Sequence, residues 1–461
     1  MEEHTGKNQN FTEGRIFVPL VQFALPVLLA LFLQTMYGAC DLLIVGQFGG
    51  PRADVFVSAV STGSQIMQTL TMVITGLAMG LTVFVGNKIG AGRREEAGRI
   101  IGSGIWLFGV MAIVLTGVMV FSAPFLANLM HAPQEAYGET VTYITICSVG
   151  TLFIIAYNLV GSIFRGIGDS KVPLLTVAIA CVLNIAGDLL LVAVFGMGAA
   201  GAAIATVAAQ AASVLISLAI VRRRELPFVF SVKDIHPNRG YLKNILRLGI
   251  PIALQDLLAS ISFLVILSIM NGLGLIVSAG VGVAEKMCGF LMLVASAYMQ
   301  SMSAFVAQNI GAGKPDRARK ALWCGITSSL AVGFVMGVFT FFRGDLLAGI
   351  FAKDPAIIAA AAEYLKAYAI DCLLTAFLFC FIGYFNGCGK TTFVMLQGTL
   401  CAFGVRMPIT WLMSKQVPVS LFHIGLAIPA STIVQIALCG VYFCAMLRRE
   451  KQDGRMEPGH F

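Results

Sequence analysis

The sequence predicts an all-α, polytopic membrane protein with twelve transmembrane helices in two six-helix halves, related by a parallel pseudo-two-fold repeat. Three observations carry this: the composition, a train of apolar blocks, and short motifs that occur twice. Of 461 residues, 58% are hydrophobic and 12% charged, and the mean hydropathy is +0.87. A soluble chain carries about 25% charged residues, so lipid rather than water is the solvent for most of this surface.

Long apolar blocks centre near residues 32, 70, 110, 150, 184, 210, 257, 293, 330, 373, 403 and 434. Many exceed the roughly 20 residues that span a bilayer as a helix. They are continuously apolar rather than alternating, which excludes a barrel. The first block follows the mixed-charge segment MEEHTGKNQNFTEGR, is too long for a signal-peptide core and lacks a cleavage pattern, so it is expected to stay in the mature chain. YGAC, ending at Cys40, has Tyr37 where a lipoprotein acylation site wants Leu. The eleven Cys fall in or beside apolar blocks without short spacings. That pattern fits packing residues rather than a disulfide framework or zinc site.

Charge sets the orientation. With both termini on one side, that side holds 24 Lys and Arg and the other five, while Lys286 and Arg406 fall within blocks. This positive-inside bias places both termini in the cytoplasm, in a multi-pass chain of a prokaryotic plasma (inner) membrane. The net charge of +8 is then a topology signal and a contact for anionic lipids, not a nucleic-acid patch.

The repeat is visible in the loops. VGNKIGAGRREEAGR at 85–99 matches VAQNIGAGKPDRARK at 306–320, with IGAG displaced by 221 residues. FALPVLL at the first block matches GIPIALQ at the seventh, and YNLVGSIFRGIGDSK matches AFLFCFIGYFNGCGK. Six blocks is an even number, so both halves have the same orientation. The expected division is an N-terminal lobe at 1–221, a basic cytoplasmic linker at 222–242 and a C-terminal lobe with tail at 243–461. In repeat transporters the substrate site lies between halves near mid-membrane. GCGKTT at 387–392 is no phosphate-binding loop, because Tyr384 stands where the first Gly is needed and no strand precedes it. The IGAG loops read as tight cytoplasmic turns. Without ATPase machinery, pumping has to be driven by an ion gradient.

Five acids lie within blocks: Asp41, Asp188, Asp256, Glu285 and Asp371. Each costs at least about 2.5 to 3.5 kcal/mol at mid-bilayer if it faces lipid, so each should face inward. Counted from the outer block ends, Asp41 lies about eight residues or roughly 12 Å deep, and Asp188 and Thr206 about seven residues or roughly 10 Å. Asn184 and Asp188 are four apart and share a helical face. Together these groups offer oxygens for Na⁺, or two close carboxylates to share a proton; the plainer alternative is that they only bond helices together.

Gln34 and Tyr37 lie on the same face as Asp41 and could line a path to it, and Pro26 could be a bend point. For Glu285, followed by Lys286, a local ion pair or cavity-edge charge is expected; Asp256 and Asp371 could attract cations. The positions displaced by 221 from Asn184 and Asp188 are Val405 and Ile409, so the halves are chemically unequal.

At these residues the chain resembles the multidrug and toxic compound extrusion (MATE) family. The paired IGAG loops, FRGIGDSKVP after the fourth block, the Asp of the first and the Asn-x-x-x-Asp of the fifth match its pattern over about the whole chain. The resemblance implies a V-shaped bundle that exports organic, often cationic, compounds in exchange for H⁺ or Na⁺ by alternating access. It carries the family's ion site onto Asp41, Asn184, Asp188 and Thr206, where any bound Na⁺ would sit. Its substrate-cavity positions map onto Gln34, Tyr37 and Asn158, with Glu285 and Asp371 as further cavity residues. Asp256 and Asp371 fall out of register with the C-lobe cation site of some members. No cofactor beyond the coupling ion is expected, and the expected partners are small organic cations and membrane lipids, with the chain acting as a monomer.

The alternative within transport is a flippase for a lipid-linked saccharide, which should show a cationic cavity for pyrophosphate. A membrane-embedded transferase would need clustered acids or His, but His4, His131, His236, His423 and His460 are scattered, so no enzyme is expected. A channel is disfavoured by the repeat and by the lack of a filter-like motif.

Overall fold

The computed structural model describes residues 11–224 and 226–453; His4, His460 and the tail beyond residue 453 lie outside them. The chain is all helical among these residues. In order come α1 (Phe17–Phe48), α2 (Ala53–Gly90), α3 (Arg94–Leu129), α4 (Tyr137–Val149), α5 (Thr151–Ile167), α6 (Lys171–Asp188), α7 (Gly198–Arg223) and α8 (Arg239–Asn271). They continue with α9 (Leu275–Gly311), α10 (Pro315–Gly349), α11 (Pro355–Gly387), α12 (Thr391–Cys401), α13 (Met407–Ser414), α14 (Leu421–Gly425) and α15 (Ala427–Asp453).

Among the described residues, eleven stretches are long and apolar enough to cross a bilayer, and α4 with α5 makes a twelfth, bent by 51°. That bend falls at Gly150, which ends α4 and opens α5. Helices are the one open-ended solution here, because lipid offers no partner to a bare N–H or C=O. The expected twelve spans are all present. Two of them contain a π-helical turn, Leu189–Val194 after α6 and Ala402–Arg406 after α12.

Packing divides the chain into two compact units. The first comprises the described residues up to Leu257 together with Gln300–Ala321 and Asn386–Thr391; the second comprises Leu258–Met299, Leu322–Phe385 and the chain from Thr392 onward. The first unit thus adds the start of α8 and the ends of α9 and α11 to the N-terminal helices. Its border is a division by packing, and the linker at 222–242 is one by connectivity. Its core includes Ile74, Leu81, Phe108, Ile155 and Phe164. In the second unit Met270, Tyr364, Leu365 and Ile424 form the centre.

The repeat is written into the helix ends of the first unit. Gly92 and Gly313 both adopt positive φ, 72° and 67°, and each ends its helix with the same pair of backbone bonds. Gly92 N–H donates to Ile89 O and Arg93 N–H to Lys88 O; Gly313 N–H donates to Ile310 O and Lys314 N–H to Asn309 O. Only Gly takes this left-handed cap without strain. Two residues earlier, a Cβ on Gly90 would stand 1.9 Å from Gln308 O, and one on Gly311 would stand 1.8 Å from Asn87 O. The helices α2 and α9 therefore meet backbone to backbone, at positions exchanged by the 221-residue shift. Gly166 against Thr82 and Gly387 against Ser303 repeat the relation.

The chain ahead of α1 is fastened to this junction. Phe11 is fully buried between Phe23 and Phe305, with ring centroids 5.1 and 4.9 Å away. The Arg317 guanidinium donates to the carbonyls of Phe11 (2.9 Å), Gly14 (2.7 Å), Glu13 (2.8 Å) and Arg15 (3.2 Å). Lys314 Nζ donates to Thr12 O at 2.9 Å. A planar cation with five donors suits such a fan of carbonyls.

Gly311→Ala should lower the thermal unfolding temperature of the detergent-purified protein, at a cost of about 1 to 3 kcal/mol for overpacking. Gly109→Ala, where a Cβ meets nothing within 4 Å, should leave it unchanged or raise it; equal behaviour of the two would refute the close crossing.

Candidate functional site

Asp41 sits late in α1 and is 4% exposed, in a helix whose other inward residues are apolar. Asp188 is the last residue of α6, fully buried, where the ladder widens into the π-helical turn. Thr206 stands in the third turn of α7. Thr206 Oγ1 donates to Asp41 Oδ2 at 3.2 Å, and Asn184 Nδ2 donates to Thr206 Oγ1 at 3.3 Å. The Asp41 and Asp188 carboxyls lie within direct interaction range of each other. Three helices thus bring Asp41, Asn184, Asp188 and Thr206 into one cluster.

The unfilled bonding capacity of this cluster is all of one kind. Asp41 Oδ1, both Asp188 oxygens and Asn184 Oδ1 are buried with no hydrogen-bond partner. Among the described residues, neither carboxylate pairs with a Lys or Arg. A buried carboxylate without compensation is costly, and the four idle acceptors belong to one bonded cluster, an arrangement that would suit a positive charge. Among the described residues no three or more His, Cys, Asp or Glu come together as metal ligands. A bound cation would therefore rest on two carboxylates and neutral oxygens, a hard-oxygen set that suits Na⁺ or H⁺ rather than a transition metal.

The other residues singled out from the sequence fall in different surroundings. Gln34 Nε2 donates to Tyr157 OH at 2.7 Å, tying α1 to α5. Tyr37 is half-buried and interacts with the Gln210 side chain of α7. Asn158 is buried and engaged at both ends: Thr75 Oγ1 donates to its Oδ1 at 3.0 Å, and its Nδ2 donates to Ile154 O at 2.8 Å. That leaves Asn158 one acceptor lone pair and one amide N–H for a further partner. Pro26 lies inside α1, which runs unbroken past it.

The same sequence is matched by a family model. The MatE model covers residues 26–190 and 251–412, more than half of the chain, in two segments that follow the two halves. The chain belongs to the MatE family. Among curated relatives of this MatE chain, a probable multidrug resistance protein, YpnP of Bacillus subtilis (strain 168), is 29% identical over 88% of this chain and 91% of its own length. The multidrug export protein MepA of Staphylococcus saprophyticus is 25% identical over 88% of each. A solved structure described as the outward-facing conformation of a multidrug resistance MATE family transporter superposes with a TM-score of 0.90 at 20% identity, covering 98% of this chain and all of that one. That likeness is one of fold.

In the second unit of this MatE protein the acids have company that the sequence did not disclose. Tyr364 OH donates to Glu285 Oε1 at 3.0 Å, so the bonded partner of Glu285 is a tyrosine of α11; Lys286 beside it is exposed. Asp371 is buried, interacts with Thr432 and keeps Oδ1 unpartnered. The Arg406 guanidinium lies 4.1 Å from the Phe263 ring centroid and within electrostatic reach of Glu285 and Asp371. Tyr157, Tyr364 and the inward-lying Arg165 are the polar residues missed. A four-residue stripe, Tyr157–Gly161–Arg165, was the available signal for two of them.

Replacing Thr206 by Val should strand Asp41 Oδ2 and the Asn184 amide together, lowering unfolding stability by about 1 to 3 kcal/mol. Thr206→Ser, which keeps the hydroxyl, should retain most of it. Thermal melts of both variants in micelles decide this, and an equal loss in both would assign the effect to packing.

Proposed function

We propose that this chain is a secondary active exporter that moves small organic, often cationic, compounds across the cell membrane in exchange for H⁺ or Na⁺. The observation that carries the reading is the set of idle oxygens on Asp41, Asp188 and Asn184, buried within three helices of a membrane-spanning chain. Family membership and relatives named for multidrug resistance and export support it.

In this reading the cation enters the cluster from outside and neutralises the carboxylates. α1, which carries Asp41 and also Gln34 and Tyr37, shifts with that change. Substrate bound from the cytoplasm then leaves outward. Coupling needs no contact between the two ligands, only that each favours a conformation the other disfavours. Both termini are assigned to the cytoplasm by the Lys and Arg bias between loops, 24 against five.

Export of a fluorescent cation from proteoliposomes, driven by a proton gradient alone and a sodium gradient alone, tests the reading and names the ion. Asp41→Asn and Asp188→Asn should each bring gradient-driven export down to the leak rate. Export by Asp41→Asn at the unmodified rate would remove the cluster from the mechanism.

A further inference from the structure

Arg165 is the residue whose placement the export reading leaves unexplained. It lies in the last turn of α5, two residues from the helix end at Ile167. A basic side chain so close to a span's end normally snorkels outward to water. This one turns the other way. Its guanidinium folds back over the preceding turn, where a Cβ on Gly161 would stand 3.2 Å from Nη1, and its Nη2 donates to Ser162 Oγ at 3.0 Å. The missing side chain at 161 is what leaves room for it.

The charge is also left without an acid. Asp169, four residues on, is taken: Arg224 Nη1 pairs with its Oδ2 at 3.0 Å, and its Oδ1 accepts the backbone N–H groups of Lys171 and Val172 that open α6. Among the described residues Arg165 forms no ion pair, and its Nε is buried with no partner. Part of the side chain stays open. The position related by the 221-residue shift is Asn386, so the charge belongs to one half alone and is no requirement of the repeat.

Tyr157, Gly161 and Arg165 follow at four-residue intervals and therefore form one stripe of α5. Tyr157 in turn holds Gln34 of α1, at 2.7 Å. A partly buried guanidinium with an unpartnered Nε, bonded to one hydroxyl and within electrostatic reach of a phenol, suits two oxygens of one planar or tetrahedral anion.

We propose that Arg165, with Ser162 and Tyr157 beside it, is a subsite for an oxyanion: the carboxylate of a zwitterionic substrate or the headgroup phosphate of a lipid. This rests on the export reading for its role, and adds a specific contact for the negative end of a cargo that carries one. A compound with an ammonium and a carboxylate would have its negative end held in the first unit by Arg165.

A zwitterionic fluoroquinolone and its methyl ester, which lacks the carboxylate, form the test pair. Both are measured for export from phosphatidylcholine vesicles and for equilibrium binding to the detergent-purified protein, using the unmodified chain, Arg165→Gln and Arg165→Lys, each checked for a monodisperse profile. The unmodified protein should prefer the acid, and Arg165→Gln should reduce the acid-to-ester preference by about tenfold or more, the scale of a lost hydrogen bond to a charged group. Arg165→Lys, with the charge but not the fork, should fall between. If the anion is a lipid phosphate, export in vesicles with added phosphatidylglycerol, whose phosphate is not paired with a choline ammonium, should exceed that in phosphatidylcholine alone, and Arg165→Gln should lose this gain. An acid-to-ester preference and a lipid dependence both unaltered in Arg165→Gln would overturn the proposal. Failure of the unmodified protein to export either compound under any gradient would instead count against the export reading, while the binding measurement still decides the subsite.

Discussion

A bilayer interior supplies no hydrogen bonds, and that shortage organises this molecule. Backbone groups satisfy themselves inside helices, and side chains must find partners on neighbouring helices or stay apolar. Most of the buried polar residues obey. Asn158 spends both ends of its amide, Thr82 bonds Ser162 O across to α5, and Ser213 bonds Thr176 O across to α6. Exceptions occur in both units, and one set of them falls within a single bonded cluster, where Asp41 Oδ1, both Asp188 oxygens and Asn184 Oδ1 are idle. For packing alone a Ser or Thr would join helices at lower desolvation cost. The same test picks out Arg165 Nε, along with Arg406 Nε and Gln397 Nε2, as buried nitrogen donors without a partner.

Against that chemistry stands a scaffold of unusual closeness. Glycines at 90, 166, 311 and 387 let helix backbones of the first unit touch, because a Cβ at any of them would meet backbone or a side-chain carbon at 3.0 Å or less. Helices in lipid gain no hydrophobic drive from association, so such small-residue contacts, maximising dispersion between backbones, carry the packing. That they come in pairs displaced by 221 residues shows that the duplicated halves kept their joints even while their polar residues diverged.

Much of this was readable in advance. Hydropathy alone located all twelve spans, because lipid makes every span pay the same compositional toll. The shared depth of Asp41, Asp188 and Thr206 followed from rise per residue and short loops. Arg165 was counted as a loop charge because charge counts carry no side-chain direction, and the fold-back over Gly161 depends on a rotamer and on Arg224 having claimed Asp169. Glu285 was set beside Lys286 because they are adjacent in sequence, yet adjacent residues on a helix point about 100° apart, and its partner arrived from α11. The Thr75 bond of Asn158 could not be seen before α2 and α5 were assembled, whereas its bond to Ile154 O is a four-residue step back within α5.

The fastening ahead of α1 has a mechanical meaning. Arg317 and Lys314 hold the carbonyls of residues 11–15, and Phe11 is wedged between two rings. α1 is thus a cantilever, clamped at its root and carrying Asp41 near its far tip. A beam held in this way can flex or swing but cannot slide along its own axis while the clamp holds. The first internal weak rung beyond the clamp is at Pro26, which has no N–H to give to the helix ladder. In the proposed exchange cycle, load applied at the tip by a change of charge would be felt as torque at that point, which would make a small displacement of the carboxylate and the swing of Gln34 and Tyr37 parts of a single stroke.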